Sequence, residues 1–119
     1  MVLFVACGSS SGPADVVKSF YAAVEKGDVD AAMDLYTDEI IQMLGEEKIK
    51  TTITESQKQI EAKGGIESIE VVSEDVKDET AKVNIKLTYK NGESTEEAID
   101  LVKVSGDWKM GFSMDQQPQ

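Results

Sequence analysis

The spacing of apolar residues divides the chain into a helical half and a strand half. From residue 13 to residue 63, apolar positions recur every three to four residues, as they do on one face of an α-helix. After Gly65 the period changes to two, and the alternation is clearest from Ala81 to Tyr89. This pattern predicts three N-terminal helices followed by four strands.

The start and stop signals of the three helices agree with this spacing. The first helix begins with proline at residue 13 and ends at Gly27, and Asp28 can cap a second helix that continues towards Gly45. A third helix is predicted over residues 46–63, although its interior threonines are poor helix formers. The apolar residues expected to face the core are Val16, Val17, Phe20, Tyr21 and Val24, then Val29, Ala32, Met33 and Tyr36, then Ile49, Ile53 and Ile60.

Four strands are predicted over residues 66–76, 79–90, 93–104 and 108–112. Asn91-Gly92 is the strongest short hairpin signal, because both central residues of a type I′ turn need positive φ. A two-residue turn there places Val83 opposite Asp100. That register puts Asp100 on the apolar face of the sheet, and Ile99 and Leu101 on the outer face.

Three explanations of this unexpected placement stay open. Asp100 can line a cavity between helices and sheet, where poor solvation raises the pKa of its carboxyl and suits it to act as acid, base or ligand anchor. A β-bulge near Ala98 can reverse the alternation, so that Ile99 and Leu101 point inward. Alternatively, Ile99 and Leu101 point outward and are covered by a second copy of the chain in a homodimer.

Helices followed by meandering strands predict an α+β fold, with three helices packed on a four-stranded antiparallel sheet. We assign residues 13–114 to this domain, residues 115–119 to a frayed tail, and residues 1–12 to a separate segment. Trp108, on the last strand beside a turn, is expected either to pack in the core or to stack on a ligand.

Charge and composition exclude several classes of function. Twelve basic residues stand against 23 acidic ones, and a net charge of −11 repels phosphate backbones, so nucleic acid is not an expected partner. The chain has no histidine, which removes the Ser-His-Asp and Cys-His triads and most zinc sites. The acidic pairs are scattered and no nucleotide fingerprint occurs, so no metal, cofactor or catalytic residue is predicted.

Cys7 is the only cysteine, and residues 1–12 carry no charge. The stretch FVACGS around it resembles the lipobox of bacterial lipoproteins, in which a small residue precedes a cysteine that becomes lipid-modified. Residues 8–12 would then be a flexible tether. The preceding apolar run is too short for a working signal peptide, so we expect the true start upstream. A cytosolic protein with a disordered N-terminal stub is the alternative.

Two longer stretches, ADVVKSFYAAVEKGDVDAAMDLY and LVKVSGDWKM, resemble small bacterial lipoprotein domains of unknown function that carry a lumazine-binding-like label. These domains belong to the nuclear transport factor 2-like superfamily. The resemblance covers about residues 13–112. It implies a cystatin-like cone, in which three helices lie against a strongly curved antiparallel sheet with a pocket at the open end.

The superfamily includes both enzymes and non-catalytic binding domains. Dehydratases that use a His-Asp pair are excluded by the missing histidine. Isomerase-like members use a cavity tyrosine and aspartates, and Asp100 with Tyr21, Tyr36 or Tyr89 supplies those residue types.

We therefore expect a non-catalytic lipoprotein domain, anchored to a membrane through Cys7 in the bacterial cell envelope and facing outside the cytoplasm. It would bind a small molecule or an envelope protein. The expected ligand-binding residues are Tyr36, Tyr89, Asp100 and Trp108. Two alternatives are a cavity lyase or isomerase that uses Asp100 and a tyrosine, and a self-associating structural module that uses Ile99 and Leu101.

Overall fold

A computed structural model describes residues 12–111, in which the helices precede one antiparallel sheet with strand order β1-β2-β3-β4. The α+β prediction is confirmed. Cys7, Phe112 and the predicted tail lie outside the described residues. The helices are α1 (Pro13–Lys26), α2 (Val29–Met33), α3 (Asp38–Leu44) and α4 (Glu46–Ala62), and the strands are β1 (Ile66–Lys77), β2 (Thr80–Tyr89), β3 (Ser94–Val104) and β4 (Asp107–Met110).

The start of α1 is fixed by two carboxylates that accept hydrogen bonds from its free backbone N–H groups. Asp15 accepts from Gly12 at 3.4 Å, and Glu74 of β1 accepts from Ala14 at 3.2 Å. Acidic groups at this end also interact favourably with the helix dipole. The beginning of α1 is therefore bound to β1. No helix within residues 12–111 is long and apolar enough to cross a bilayer.

The prediction of three helices is wrong in number, because the second predicted helix is two short helices separated by residues 34–37. The N–H of Met110 donates to the Leu35 carbonyl at 2.6 Å, and the N–H of Thr37 donates to the Met110 carbonyl at 3.0 Å. These backbone groups pair with β4 and so cannot continue a helix. The Thr37 hydroxyl then accepts from the N–H of Ile40 at 3.1 Å and caps α3.

Two apolar clusters hold the helices to the sheet and to one another. The first joins α1 to the inner face of the sheet, and the second joins α1, α2 and α4, so the predicted apolar stripes face the core. The buried members of the first are Val16, Val17, Ala81, Val83, Ile85, Leu101, Trp108 and Met110, and those of the second are Ala23, Val24, Ala32, Met33, Ile49, Ile53 and Ile60.

The hairpin between β2 and β3 has a three-residue loop, Lys90 to Gly92, and the predicted two-residue turn is wrong. The N–H of Tyr89 donates to the Glu93 carbonyl at 2.8 Å, which closes the loop. Gly92 has φ of 97°, whereas Asn91 is not among the residues with positive φ, so a type I′ turn is excluded. The Asn91 side chain instead accepts from the N–H of Glu93 at 2.9 Å.

The extra loop residue shifts the register by one and exchanges the two faces of β3. Ala81 pairs with Leu101, Val83 with Ile99 and Lys82 with Asp100. Leu101 is fully buried, Ile99 packs against the first cluster, and Asp100 is exposed on the outer face. Ile99 and Leu101 therefore do point inward, as one of the three explanations required, but the cause is the loop.

Candidate functional site

A cleft lies where the second half of α1 and the second half of α4 meet the inner face of β2 and β3. Its volume is about 190 Å³. The residues that line it are Tyr21, Ser56, Gln59, Ile60, Leu87, Tyr89 and Glu97.

Three features of the sequence bring the polar lining residues together. Tyr21 lies on α1 one turn after Val17, on the side that faces the sheet. Tyr89 continues the inward-facing positions of β2, two residues after Leu87. Glu97 is exposed, but it lies on the same face of β3 as Leu101, because the three-residue loop sets it opposite Ile85 on β2.

The phenol of Tyr21 has a raised pKa of about 12. Burial is the main cause, and the nearby Glu97 carboxylate adds to it, followed by the phenols of Tyr89 and Tyr36. Burial also raises the pKa of Tyr36. At neutral pH, Tyr21 and Tyr36 are therefore firmly protonated and can donate hydrogen bonds.

The aromatic rings beside the cleft are held edge to face. Phe20 contacts Tyr21 with ring centroids 5.3 Å apart, and Tyr36 with centroids 5.7 Å apart. This arrangement is favourable because the positive ring edge meets the negative ring face. It limits the positions that the Tyr21 ring can take beside the cleft.

Lys63 lies near the cleft and contacts both a carboxylate and a ring. Its Nζ forms an ion pair with Glu93 and lies 5.4 Å from the centroid of the Tyr89 ring. The hydrogen bond within the pair raises the pKa of Lys63 and lowers the pKa of Glu93. Tyr89 thus already has an ammonium group against its ring.

The four residues predicted to bind ligand do not form one site. Tyr89 lines the cleft, and Tyr36 packs on Phe20 within the core. Trp108 is 9% exposed in the first apolar cluster, with Lys103 Nζ 5.7 Å from its ring centroid, so core packing is the outcome. Asp100 lines a groove on the opposite, outer face of the sheet, so the cavity placement of Asp100 is wrong.

Glu97 is the cleft residue that the sequence interpretation missed. Strand alternation places it on the same face as Ile99 and Leu101, and their apolar character was the available signal. Placing Glu97, Ile99 and Leu101 on the inner face requires a loop with an odd number of residues. The Asn91-Gly92 pair instead favours a two-residue turn. Ser56 and Gln59 on α4 gave no signal that distinguishes them from other polar helix residues.

Two larger hollows on the surface have no aromatic residue in their lining. One of about 460 Å³ follows the charged row of Asp75, Lys82 and Asp100 on the outer sheet face. Another, of about 780 Å³, lies beside Glu39 and Val102. Within residues 12–111, no three carboxylates converge as a metal site. The small cleft is therefore where aromatic rings and hydrogen-bonding groups meet in a concave site.

The raised pKa of Tyr21 predicts a late-ionising tyrosine in an ultraviolet titration of the folded protein. Tyr21→Phe should remove the component that ionises near pH 12. Because the folded pKa exceeds the ordinary tyrosine value of 10.0, the unfolded chain loses this proton first, and stability from Tyr21 is lost as the pH rises through 10 to about 12. The urea midpoint of Tyr21→Phe should therefore fall less steeply with rising pH over that interval than the urea midpoint of the wild-type protein. If Tyr21→Phe instead removed a component that ionises near pH 10, as an exposed tyrosine does, the titration would contradict the burial of this phenol.

Comparison with known proteins gives a family and a fold. A family described as Domain of unknown function (DUF4878) matches residues 5–111. A Campylobacter jejuni protein provisionally named an NTF2-like transpeptidase has a crystal structure that aligns with a TM-score of 0.73 and 21% identity, over 84% of this chain and 97% of that one. No curated protein matches the sequence. The structural likeness confirms the nuclear transport factor 2-like fold implied by the sequence resemblance.

Proposed function

Because the chain belongs to the DUF4878 family, whose function is unknown, we propose a function from its cleft. The protein is a non-catalytic binding domain, held by a lipid on Cys7 in the bacterial cell envelope and facing outside the cytoplasm. Its ligand is a small molecule that enters the cleft between α1, α4 and the sheet.

The composition of the cleft lining is the observation that carries this proposal. Ile60 and Leu87 are the apolar residues of the lining. The other lining residues add two phenols, a hydroxyl, an amide and a carboxylate. Ligand sites commonly combine an apolar wall with a few such polar groups that orient the ligand. At about 190 Å³ the cleft is smaller than the usual ligand pocket of about 300–1,000 Å³, so its volume suits one group of a ligand.

The same cleft favours binding over catalysis. The isomerase-like alternative requires Asp100 and a tyrosine in one pocket, but Asp100 and Tyr21 lie on opposite faces of the sheet. The name of the Campylobacter jejuni protein raises transpeptidation, which proceeds through an activated nucleophile. Ser56 is the aliphatic hydroxyl in this cleft, and no hydrogen bond within residues 12–111 joins its side chain to a base.

The positions of Ile99 and Leu101 also argue against the alternative in which the protein is a self-associating structural module. It required Ile99 and Leu101 to be exposed on the outer face, and Leu101 is fully buried within one copy. The outer face instead carries cross-strand rows in which Lys82 and Lys86 each lie between two carboxylate-bearing neighbours. Water can solvate a charged face of this kind without a second copy of the chain.

The cone shape implied by the sequence resemblance would place the cleft at the open end of the domain. Register shifts in β1, after Ile66 and after Val71, support this shape, because a bulge bends a strand and increases its local twist. Bending of β1 around α1 would deepen the inner face on which Leu87 and Tyr89 lie.

A bulky substitution tests whether the cleft binds small molecules. Native mass spectrometry of protein purified from its own cells, with extracted small molecules added back, should show a bound species. Ser56→Trp fills the cleft and should abolish that species, whereas Thr51→Trp, on an exposed position of the same helix, should leave it unchanged. Equal binding by both variants would place the ligand elsewhere.

Lipidation is tested on the complete gene product in its own bacterium. We expect the mature protein to begin at Cys7, to carry a diacylglycerol there, and to sediment with membranes. Cys7→Ser should release most of the protein from the membrane fraction, and Ser10→Ala should not. An unmodified Cys7, with no protein in the membrane fraction, would contradict the proposed location. It would not affect the proposal that the cleft binds a small molecule.

A further inference from the structure

We propose that the cleft selects a small cation, an aliphatic ammonium group that pairs with Glu97 and lies against the tyrosine rings. This inference rests on the proposed function, since it names the chemical class of ligand for the same cleft. It predicts that amines bind in preference to alcohols and carboxylates of equal size.

The charge of the lining supports a cationic ligand. Glu97 is the one ionisable acid or base with a charge at neutral pH among the residues that line the cleft. Within residues 12–111, the single ion pair joins Lys63 to Glu93, so no lysine in that range lies within 4.0 Å of the Glu97 carboxylate. The Glu97 carboxylate is therefore available to a cation from solution.

Beside the cleft, the ammonium group of Lys63 already contacts a carboxylate and a tyrosine ring together. In that case the cation is a side chain of the protein itself. The ammonium group forms an ion pair with the Glu93 carboxylate and lies 5.4 Å from the centroid of the Tyr89 ring. The cleft repeats the combination of carboxylate and tyrosine ring with Glu97, Tyr21 and Tyr89. Cations are attracted to the face of an aromatic ring, so the tyrosines add to the pull of the carboxylate.

Anionic ligands meet an unfavourable field at the same place. The Glu97 carboxylate repels them, and the whole chain carries a net charge of −11 that raises the local concentration of cations. A neutral alcohol can accept a hydrogen bond from the protonated Tyr21 phenol and donate one to Glu97, but it brings no positive charge to pair with the carboxylate. The expected order is therefore amine, then alcohol, then carboxylate.

The test uses three probes of matched size on the full chain: n-butylammonium, 1-butanol and butyrate. Amide chemical shifts of Tyr21, Tyr89 and Glu97 report binding. We expect saturation by n-butylammonium with a Kd on the order of millimolar. Affinity for 1-butanol and butyrate should be at least about fivefold weaker, and rising salt should weaken the amine alone.

Glu96 provides a matched control, because it neighbours Glu97 but pairs with Lys86 on the outer face. Glu97→Gln should weaken amine binding about fivefold or more, while Glu96→Gln, with the same loss of charge, should change it less than about twofold. Equal effects of both variants would overturn the assignment to Glu97. Preferred binding of 1-butanol or butyrate in the cleft would overturn the cation inference and leave the proposed function standing. No saturable shift with any probe, together with no cleft-bound species in native mass spectrometry, would overturn both.

Discussion

Replacing Leu101 with alanine is expected to lower the free energy of unfolding by about 2–5 kcal/mol. Leu101 is fully buried in the cluster that joins α1 to the sheet, where it lies opposite Ala81 and beside Met110. Removing its side chain leaves a cavity that the close-packed surroundings fill only in part. Because a domain of this kind is stabilised by about 5–15 kcal/mol, the loss is a large fraction of the total.

Asp100→Ala is the matched control for this experiment. Asp100 is the adjacent residue, but it is exposed and lies across from Lys82, so its removal should change stability by less than about 0.5 kcal/mol. Urea denaturation followed by circular dichroism measures both variants. A result in which Asp100→Ala is the more damaging change would restore the register of the two-residue turn and contradict the structure.

Gly45→Ala is expected to cost about 1–3 kcal/mol through backbone strain. Gly45 joins α3 to α4 with φ of 94° and ψ of 138°, a conformation that residues with a Cβ rarely adopt. Its N–H donates to the Ile41 carbonyl at 2.8 Å, and its carbonyl accepts from the N–H of Ile49 at 3.1 Å, so both helices fix this conformation. Nothing lies within 4 Å of an added Cβ, and the loss therefore reports strain without a steric clash.

Thermal and urea denaturation of Gly45→Ala should be compared with Glu46→Ala at the next position. Glu46 is exposed in the first turn of α4, where its loss removes only a favourable interaction with the helix dipole, a few tenths of a kcal/mol. Wild-type stability of Gly45→Ala would show that the helix junction does not need this conformation, and that α3 and α4 can meet in another way.

The parts of the fold that could be predicted from sequence depend on local signals. The stripe of Val16, Val17 and Val24 and the alternation from Ala81 to Leu87 each report one buried face, and both are as predicted. The break before α3 could not be predicted in this way. It depends on Leu35 and Thr37 pairing with Met110, a partner distant in sequence, and the local stripe through Tyr36 gives no sign of it.

The site was less predictable than the fold for a related reason. Tyr89 could be identified because it ends a clear alternating strand, and Trp108 could not be assigned because a large apolar side chain suits a core and a ligand site equally. Glu97 was hidden because its face depends on one loop residue, and Asn91-Gly92 is compatible with more than one loop length. Tyr21 is not among the ligand-binding residues expected from the sequence, and it enters only as one of three tyrosines that the isomerase-like alternative combines with Asp100.

The loop at residues 90–92 also has a consequence for how relatives of this chain evolve. Loss of one codon there would turn Ala98 and Asp100 towards the helices and Ile99 and Leu101 towards water. Such a deletion can persist only with compensating replacements along the whole strand, so insertions and deletions of an odd number of residues in this loop should be rare among functional homologues. Where they do occur, the homologue should carry apolar residues at the positions of Ala98, Asp100 and Val102, and should lack a carboxylate in its cleft unless one has arisen anew.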